Sequence, residues 1–151
     1  MSDMSLQFAH AVTPGGVVDG AVITIADGRI VSVEPGEGGG SLWAVPGFVD
    51  THCHGAVGIS FGNPDREANK AAIDYHRTQG TTTLFASTVT EPVEMLEDQL
   101  AVLRDLVSDG ELGGIHLEGP YLSPAKKGAH DAALLRDPDA ESVERLIAAG
   151  G

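Results

Sequence analysis

His52 and His54 lie two residues apart at the end of an apolar run, Val45-Pro46-Gly47-Phe48-Val49-Asp50-Thr51-His52-Cys53-His54-Gly55. A strand alternates its side chains with period two, so both imidazoles project from one face. At the end of a buried strand, that geometry puts two nitrogen donors where they can share a metal ion. A second strand-like run, Leu112-Gly113-Gly114-Ile115-His116-Leu117-Glu118-Gly119-Pro120, carries Glu118 to the same kind of position. Two histidines and a carboxylate suit divalent cations such as zinc, iron or manganese. A glutamate within Ile-His-Leu-Glu-Gly-Pro is otherwise a costly charge on a buried strand. His116 shares the parity of Glu118 and faces inward, as a hydrogen-bonded interior histidine. Cys53 has the opposite parity to the histidines and is expected to pack under a helix, neither ligand nor nucleophile.

These residues need strands to carry them. From Trp43 onward the pattern alternates strand and helix. Asp65 to Gln79 reads as a helix, with Ala68, Ala71, Ala72 and Tyr75 at i, i+3, i+4, i+7, Asp65 as N-cap and Gly80 at C′. Thr81 to Thr88 is β-branched enough for the next strand. A second helix follows Pro92, with Val93, Leu96, Leu100, Leu103 and Val107 on one stripe. After the Glu118 strand and a polar loop, a third helix covers Pro138 to Ala149; Val143, Leu146 and Ile147 face inward and Gly150 stops it. Repeated βα units with ligands at strand C-terminal ends are how parallel α/β folds present active sites. Residues 1–44 differ. Strands are expected over Leu6 to Val12, Val17-Val18, Ala21 to Ala26 and Arg29 to Val33, the last two joined by an Asp27-Gly28 hairpin turn. Pro35 to Gly40 reads as a flexible surface loop. We therefore expect a small β-domain over 1–44 and a metal-dependent α/β domain over 45–151.

Composition narrows the partners. The 151 residues are 42% hydrophobic, enough for a sizeable core. A net charge of −13 argues against nucleic acid or an anionic membrane surface. The single cysteine excludes an intramolecular disulfide and fits a reducing cytoplasm. No signal peptide is legible at the N-terminus, and no apolar stretch approaches the roughly 20 residues of a membrane span. A soluble protein is expected.

The segment Pro46 to Gly55 resembles the first barrel strand of the amidohydrolase superfamily, and the preceding hairpin resembles its small β-sandwich domain. His116-Leu117-Glu118-Gly119-Pro120-Tyr121-Leu122 followed by Lys126-Lys127-Gly128-Ala129-His130-Asp131 is more specific: it resembles the N-acetylglucosamine-6-phosphate deacetylase family, from about Gly20 onward. The resemblance implies an α/β fold, the first three βα units of a (β/α)8 barrel. It implies metal-dependent hydrolysis of N-acetylglucosamine 6-phosphate to glucosamine 6-phosphate and acetate in the cytoplasm, by a homo-oligomer. Glu118 would be the main metal ligand, and His52 and His54 would hold a second ion, zinc or iron. His130 and the Ala129 backbone would contact the phosphorylated amino sugar. Lys126 and Lys127 are either a solvated loop or local positive charge for the phosphosugar. The family's catalytic aspartate and two further histidine ligands correspond to positions beyond Gly151, and the spacing of Asp50, Glu91 or Asp131 does not support a substitute. Against roughly 250 residues for a complete barrel, the chain reads as an N-terminal portion whose open strand edges would aggregate in isolation. A galactosamine-specific relative and a non-catalytic remnant are the alternatives.

Overall fold

A computed structural model describes residues 4–151, in two compact units, Met1–Pro46 and Gly47–Gly151. In the first unit the strands are β1 (Met4–Gln7), β2 (His10–Thr13), β3 (Gly16–Asp19), β4 (Ala21–Ala26), β5 (Arg29–Pro35) and β6 (Trp43–Ala44). They form two three-stranded sheets, β1-β4-β5 and β3-β2-β6. The expected β4–β5 hairpin is present, and Asp27 and Gly28 both take positive φ, 49° and 73°, as a two-residue type I′ turn requires. The single strand expected from Leu6 to Val12 is instead two, in different sheets. Phe8 N–H donates to Ala21 and Ala9 N–H to Leu42, so the chain changes partners between them. The Pro35 to Gly40 loop is tied down by Gly36 N–H donating to Gly20. Ala11, Ala21 and Ile23 form this unit's core.

In the second unit, β7 (Phe48–Cys53) is followed by a short hairpin of β8 (Gly55–Ala56) and β9 (Ile59–Ser60). Then come α1 (Arg66–Thr78), β10 (Thr81–Thr88), α2 (Val93–Ser108), β11 (Gly114–Leu117) and α3 (Ala140–Gly150). The sheet is parallel, in order β11-β10-β7. Leu84 and Ala86 of β10 share one buried cluster with Ala72 and Ile73 of α1 and Leu103 and Leu106 of α2. Both crossover helices thus bury one face on the sheet, the ordinary condition of βαβ units.

Helix α1 starts as expected, with the Asp65 carboxylate accepting from Glu67 and Ala68 N–H. Its inward face is rotated by one residue from the apolar stripe. Asn69, Ala72 and Ile73 are buried and His76 is half-buried, while Ala71 and Tyr75 are exposed. The polar Asn69 sits in the core with its amide nitrogen donating to the Asn63 carbonyl at 2.9 Å, while its Oδ1 is buried without a partner. In α3, Leu146 is buried but Ile147 is exposed, and the helix runs through Gly150 to end at Gly151, φ +100°. No helix among the described residues is long and apolar enough to cross a membrane.

Asp139 caps α3 by accepting from Ser142 N–H at 2.9 Å and from the Ser142 hydroxyl at 2.7 Å. These bonds, then Arg136, hold its carboxyl below the usual range. A carboxyl depressed in the folded state stabilises fully above its unfolded pKa and loses that contribution as pH falls through the folded one. The protection of α3 amides, taken relative to their intrinsic exchange rate at each pH, should therefore fall at acid pH. Asp139→Asn, which keeps a cap but not the titration, should flatten that dependence. An identical acid profile in the variant would refute the assignment.

Candidate metal centre

Strand β7 is not regular. Leu84 and Ala86 of β10 pair with Asp50 and Cys53, two steps on one strand against three on the other. This bulge places Asp50 with Cys53 on the side that Leu84 and Ala86 present to the helices, whereas strict alternation would place Asp50 with His52. Bulges of this kind commonly re-aim side chains beside active sites. His52 stays on the opposite side, and His54 follows the strand's end.

There the three expected residues converge. His52 Nε2 lies 3.0 Å from His54 Nε2 and 3.1 Å from Glu118 Oε2, and His54 Nε2 lies 3.0 Å from the same oxygen. A neutral imidazole has one donor and one acceptor nitrogen. If both Nε2 atoms donate to the carboxylate, two N–H groups face each other. If one donates to the other, a lone pair faces the anion. No neutral proton arrangement satisfies all three contacts; a cation does. Tetrahedral ligation with bonds of about 2.0–2.1 Å spaces ligands about 3.3–3.4 Å apart, so a few tenths of an ångström of spreading suffices. The donor set fits a divalent ion.

The supports around these ligands differ. Glu118 Oε1 lies 3.4 Å from Nε2 of His130, a side chain only 10% exposed, whose Nδ1 pairs with the Thr90 hydroxyl at 2.7 Å. Burial pushes the Glu118 carboxyl up, but hydrogen bonds from His130 and His52 outweigh it and hold the group below its ordinary value. His116 pairs through Nδ1 with the Ser87 hydroxyl at 3.0 Å, and its ring meets His52 edge-on. Ser87 also accepts from Cys53 N–H at 3.1 Å, which ties β7 to β10 just before His54. His54 Nδ1 is buried without a partner. Lys127 donates to the His130 carbonyl at 2.9 Å and shapes that loop, whereas Lys126 and Ala129 are exposed. Cys53 is buried under α1, where burial pushes its thiol up, away from nucleophilic duty.

Thr90, Ser87 and His76 escaped the sequence reading. Thr90 and Ser87 lie 40 and 29 residues from the histidines they hold, and nothing local marks them.

The class that the fold and the cluster define is an α/β protein in which imidazoles and a carboxylate meet where parallel strands end, the place such folds present their sites. Its relatives are deacetylases of the amidohydrolase family. The structure of a mutant N-acetyl-D-glucosamine-6-phosphate deacetylase from Mycobacterium smegmatis, in complex with N-acetyl-D-glucosamine-6-phosphate, superposes with a TM-score of 0.88 at 38% identity, over 99% of this chain and 41% of that one. The N-acetylglucosamine-6-phosphate deacetylase of Vibrio furnissii is 31% identical over 140 residues, 84% of this chain and 35% of that protein. An N-acetylgalactosamine-6-phosphate deacetylase from a Shewanella species is 33% identical over 143 residues, 85% of this chain and 36% of the relative. The chain thus spans little more than a third of the curated relatives it matches. No protein-family model matches it.

Proposed function

We propose that this chain supplies metal-binding and substrate-facing parts of an enzyme that hydrolyses N-acetylglucosamine 6-phosphate to glucosamine 6-phosphate and acetate. Water adds to the acetamido carbonyl, the carbon–nitrogen bond breaks, and the amine leaves with a proton. The observation that carries the reading is the meeting of His52, His54 and Glu118 at 3.0–3.1 Å in a chain with these relatives. Glu118 serves as the main ligand, and its Oε2, which faces both imidazoles, also reaches the second ion that His52 and His54 hold. A divalent ion bound there, zinc or iron, supplies Lewis acidity toward the amide carbonyl and toward water. His130, braced by Thr90, keeps Glu118 ionised and aimed. His130 and the Ala129 backbone, at the same loop, face the sugar. We assign the acid/base proton transfers to none of the described residues.

In this reading β7, β10 and β11 are three consecutive strands of a (β/α)8 barrel, and residues 1–46 are part of a small β-sandwich. The lone cysteine and a phosphorylated substrate suit the cytoplasm, and the intact enzyme is a homo-oligomer. Galactosamine specificity is the second reading, since relatives of both names align at similar identity.

A chimera tests the proposal: this chain replaces the matching segment of the Mycobacterium smegmatis deacetylase, and acetate release is measured from both sugar phosphates. Release from the glucosamine derivative, abolished by chelation and restored by zinc or iron, is the expected result. Preference for the galactosamine derivative would select the second reading. A folded chimera inert toward both would overturn the proposal.

A further inference from the structure

On the helix side of β7, a different set of donors meets. Cys53 Sγ lies 3.1 Å from His76 Nε2, and both approach the Gly55 carbonyl oxygen, at 3.5 and 3.2 Å. The Asp50 carboxylate is within 4.8 Å of the thiol and the imidazole. Three separate features of the fold bring them together. The bulge in β7 turns Asp50 toward Cys53, the one-residue rotation of α1 turns His76 inward, and Gly55 opens the β8–β9 hairpin beneath them.

As hydrogen bonding, the cluster closes in one proton arrangement: His76 Nε2 and the Cys53 thiol both donate to the Gly55 carbonyl, at 3.2 and 3.5 Å, with the imidazole nitrogen 3.1 Å from sulfur. As ligation, the spacing is good. With bonds of about 2.0–2.3 Å to oxygen, nitrogen and sulfur, tetrahedral ligands sit about 3.3–3.8 Å apart. The observed separations of 3.1, 3.2 and 3.5 Å are close to that. Asp50 closes the set with negative charge.

We propose that Asp50, Cys53 and His76, with the Gly55 carbonyl, form a second cation site selective for thiophilic divalent ions of the zinc and cadmium type. It shares no side chain with the His52–His54–Glu118 cluster. Sulfur ligation separates the two chemically, because magnesium, calcium and manganese favour oxygen and disfavour thiolate. On binding, the sulfur–metal bond forms as the thiol proton leaves to solvent. The two sites are nonetheless mechanically joined. The Asp50 carboxylate accepts from His52 N–H at 3.1 Å, and Cys53 and Gly55 flank His54, so occupancy on one side of the strand constrains the ligands on the other.

Cadmium is the probe. Metal-free full chain titrated with Cd²⁺ should develop an ultraviolet thiolate-to-cadmium charge-transfer band whose final amplitude corresponds to one thiolate-bound ion per chain. The band should vanish in Cys53→Ala and survive in Glu118→Gln. His76→Gln and Asp50→Asn should each weaken it by at least about tenfold, the lower end of what loss of even a supporting partner costs. Circular dichroism confirms folding; if Cys53→Ala does not fold, the other two variants carry the test. No band in the parent chain, or unchanged affinity in both His76→Gln and Asp50→Asn, would overturn the proposal. The deacetylase reading is separately exposed. Should Glu118→Gln leave binding of thiolate-independent metal unchanged, that reading fails while this site stands.

Discussion

Glu118→Gln should weaken divalent-metal binding at the His52–His54 cluster by more than about 100-fold, beyond the 10–100-fold typical of losing a supporting partner. The substitution is nearly isosteric, so packing is little changed. What disappears is the charge. One Glu118 oxygen faces the two Nε2 atoms at 3.0 and 3.1 Å, and the other faces His130 at 3.4 Å. Glutamine presents one neutral oxygen and an amide that can only donate, so either a ligand oxygen is lost or an N–H group is aimed at an imidazole. The folding cost should be minor by comparison, because the side chain is 28% exposed and water screens its interactions there. Metal affinity by chelator competition, set beside the thermal midpoint, decides the matter. Parent-like affinity in the variant would remove Glu118 from the site. In the chimera, acetate release should fall with it.

The residues legible in advance were those whose role depends on local spacing. His52 and His54 could be read because strand alternation is a property of the chain itself, and Glu118 because a charge at the end of an apolar run calls for a partner. Asp65 before an amphipathic stretch and Gly80 after it mark α1 for the same reason. Register is not local. One extra residue in β7 moves Asp50 across the sheet, and only its pairing with β10 reveals it. The face of α1 was misread because Ala71 and Tyr75 look like core yet are exposed. Asn69 looks like surface yet is buried on its bond to Asn63. That rotation by one position is what brings His76 to Cys53. The strand break after Gln7 was hidden likewise, since Leu6 to Val12 is continuous in propensity and divided only by the partners at Ala21 and Leu42.

Gly55→Ala should dismantle the candidate His52–His54–Glu118 centre without changing any of those three side chains. Gly55 follows His54 with φ +135°, a conformation side-chain-bearing residues rarely adopt, and an added Cβ would lie 1.9 Å from the Ile59 carbonyl oxygen. That oxygen belongs to the β8–β9 hairpin, so relief requires moving backbone, not turning a rotamer. Backbone strain of about 1–3 kcal/mol and overpacking of similar size together imply about 2–6 kcal/mol of destabilisation. His54 is the chain neighbour of Gly55, and its Nε2 sits 3.0 Å from its partners, so a shift of this backbone is expected to displace it. Gly119 repeats the device after Glu118: φ +87°, with an added Cβ only 2.0 Å from the Thr90 hydroxyl that braces His130. Each segment that carries a proposed ligand is thus followed by a glycine that lets neighbouring structure close against it. Gly58→Ala is the matched control, for Gly58 has φ +81° but nothing within 4 Å of the added atom. It should cost only about 1 kcal/mol and leave metal affinity intact. Denaturant midpoints and metal titrations on both variants separate strain from displacement. Equal effects of Gly55→Ala and Gly58→Ala on metal affinity would show that close packing at Gly55 does not hold His54 in place.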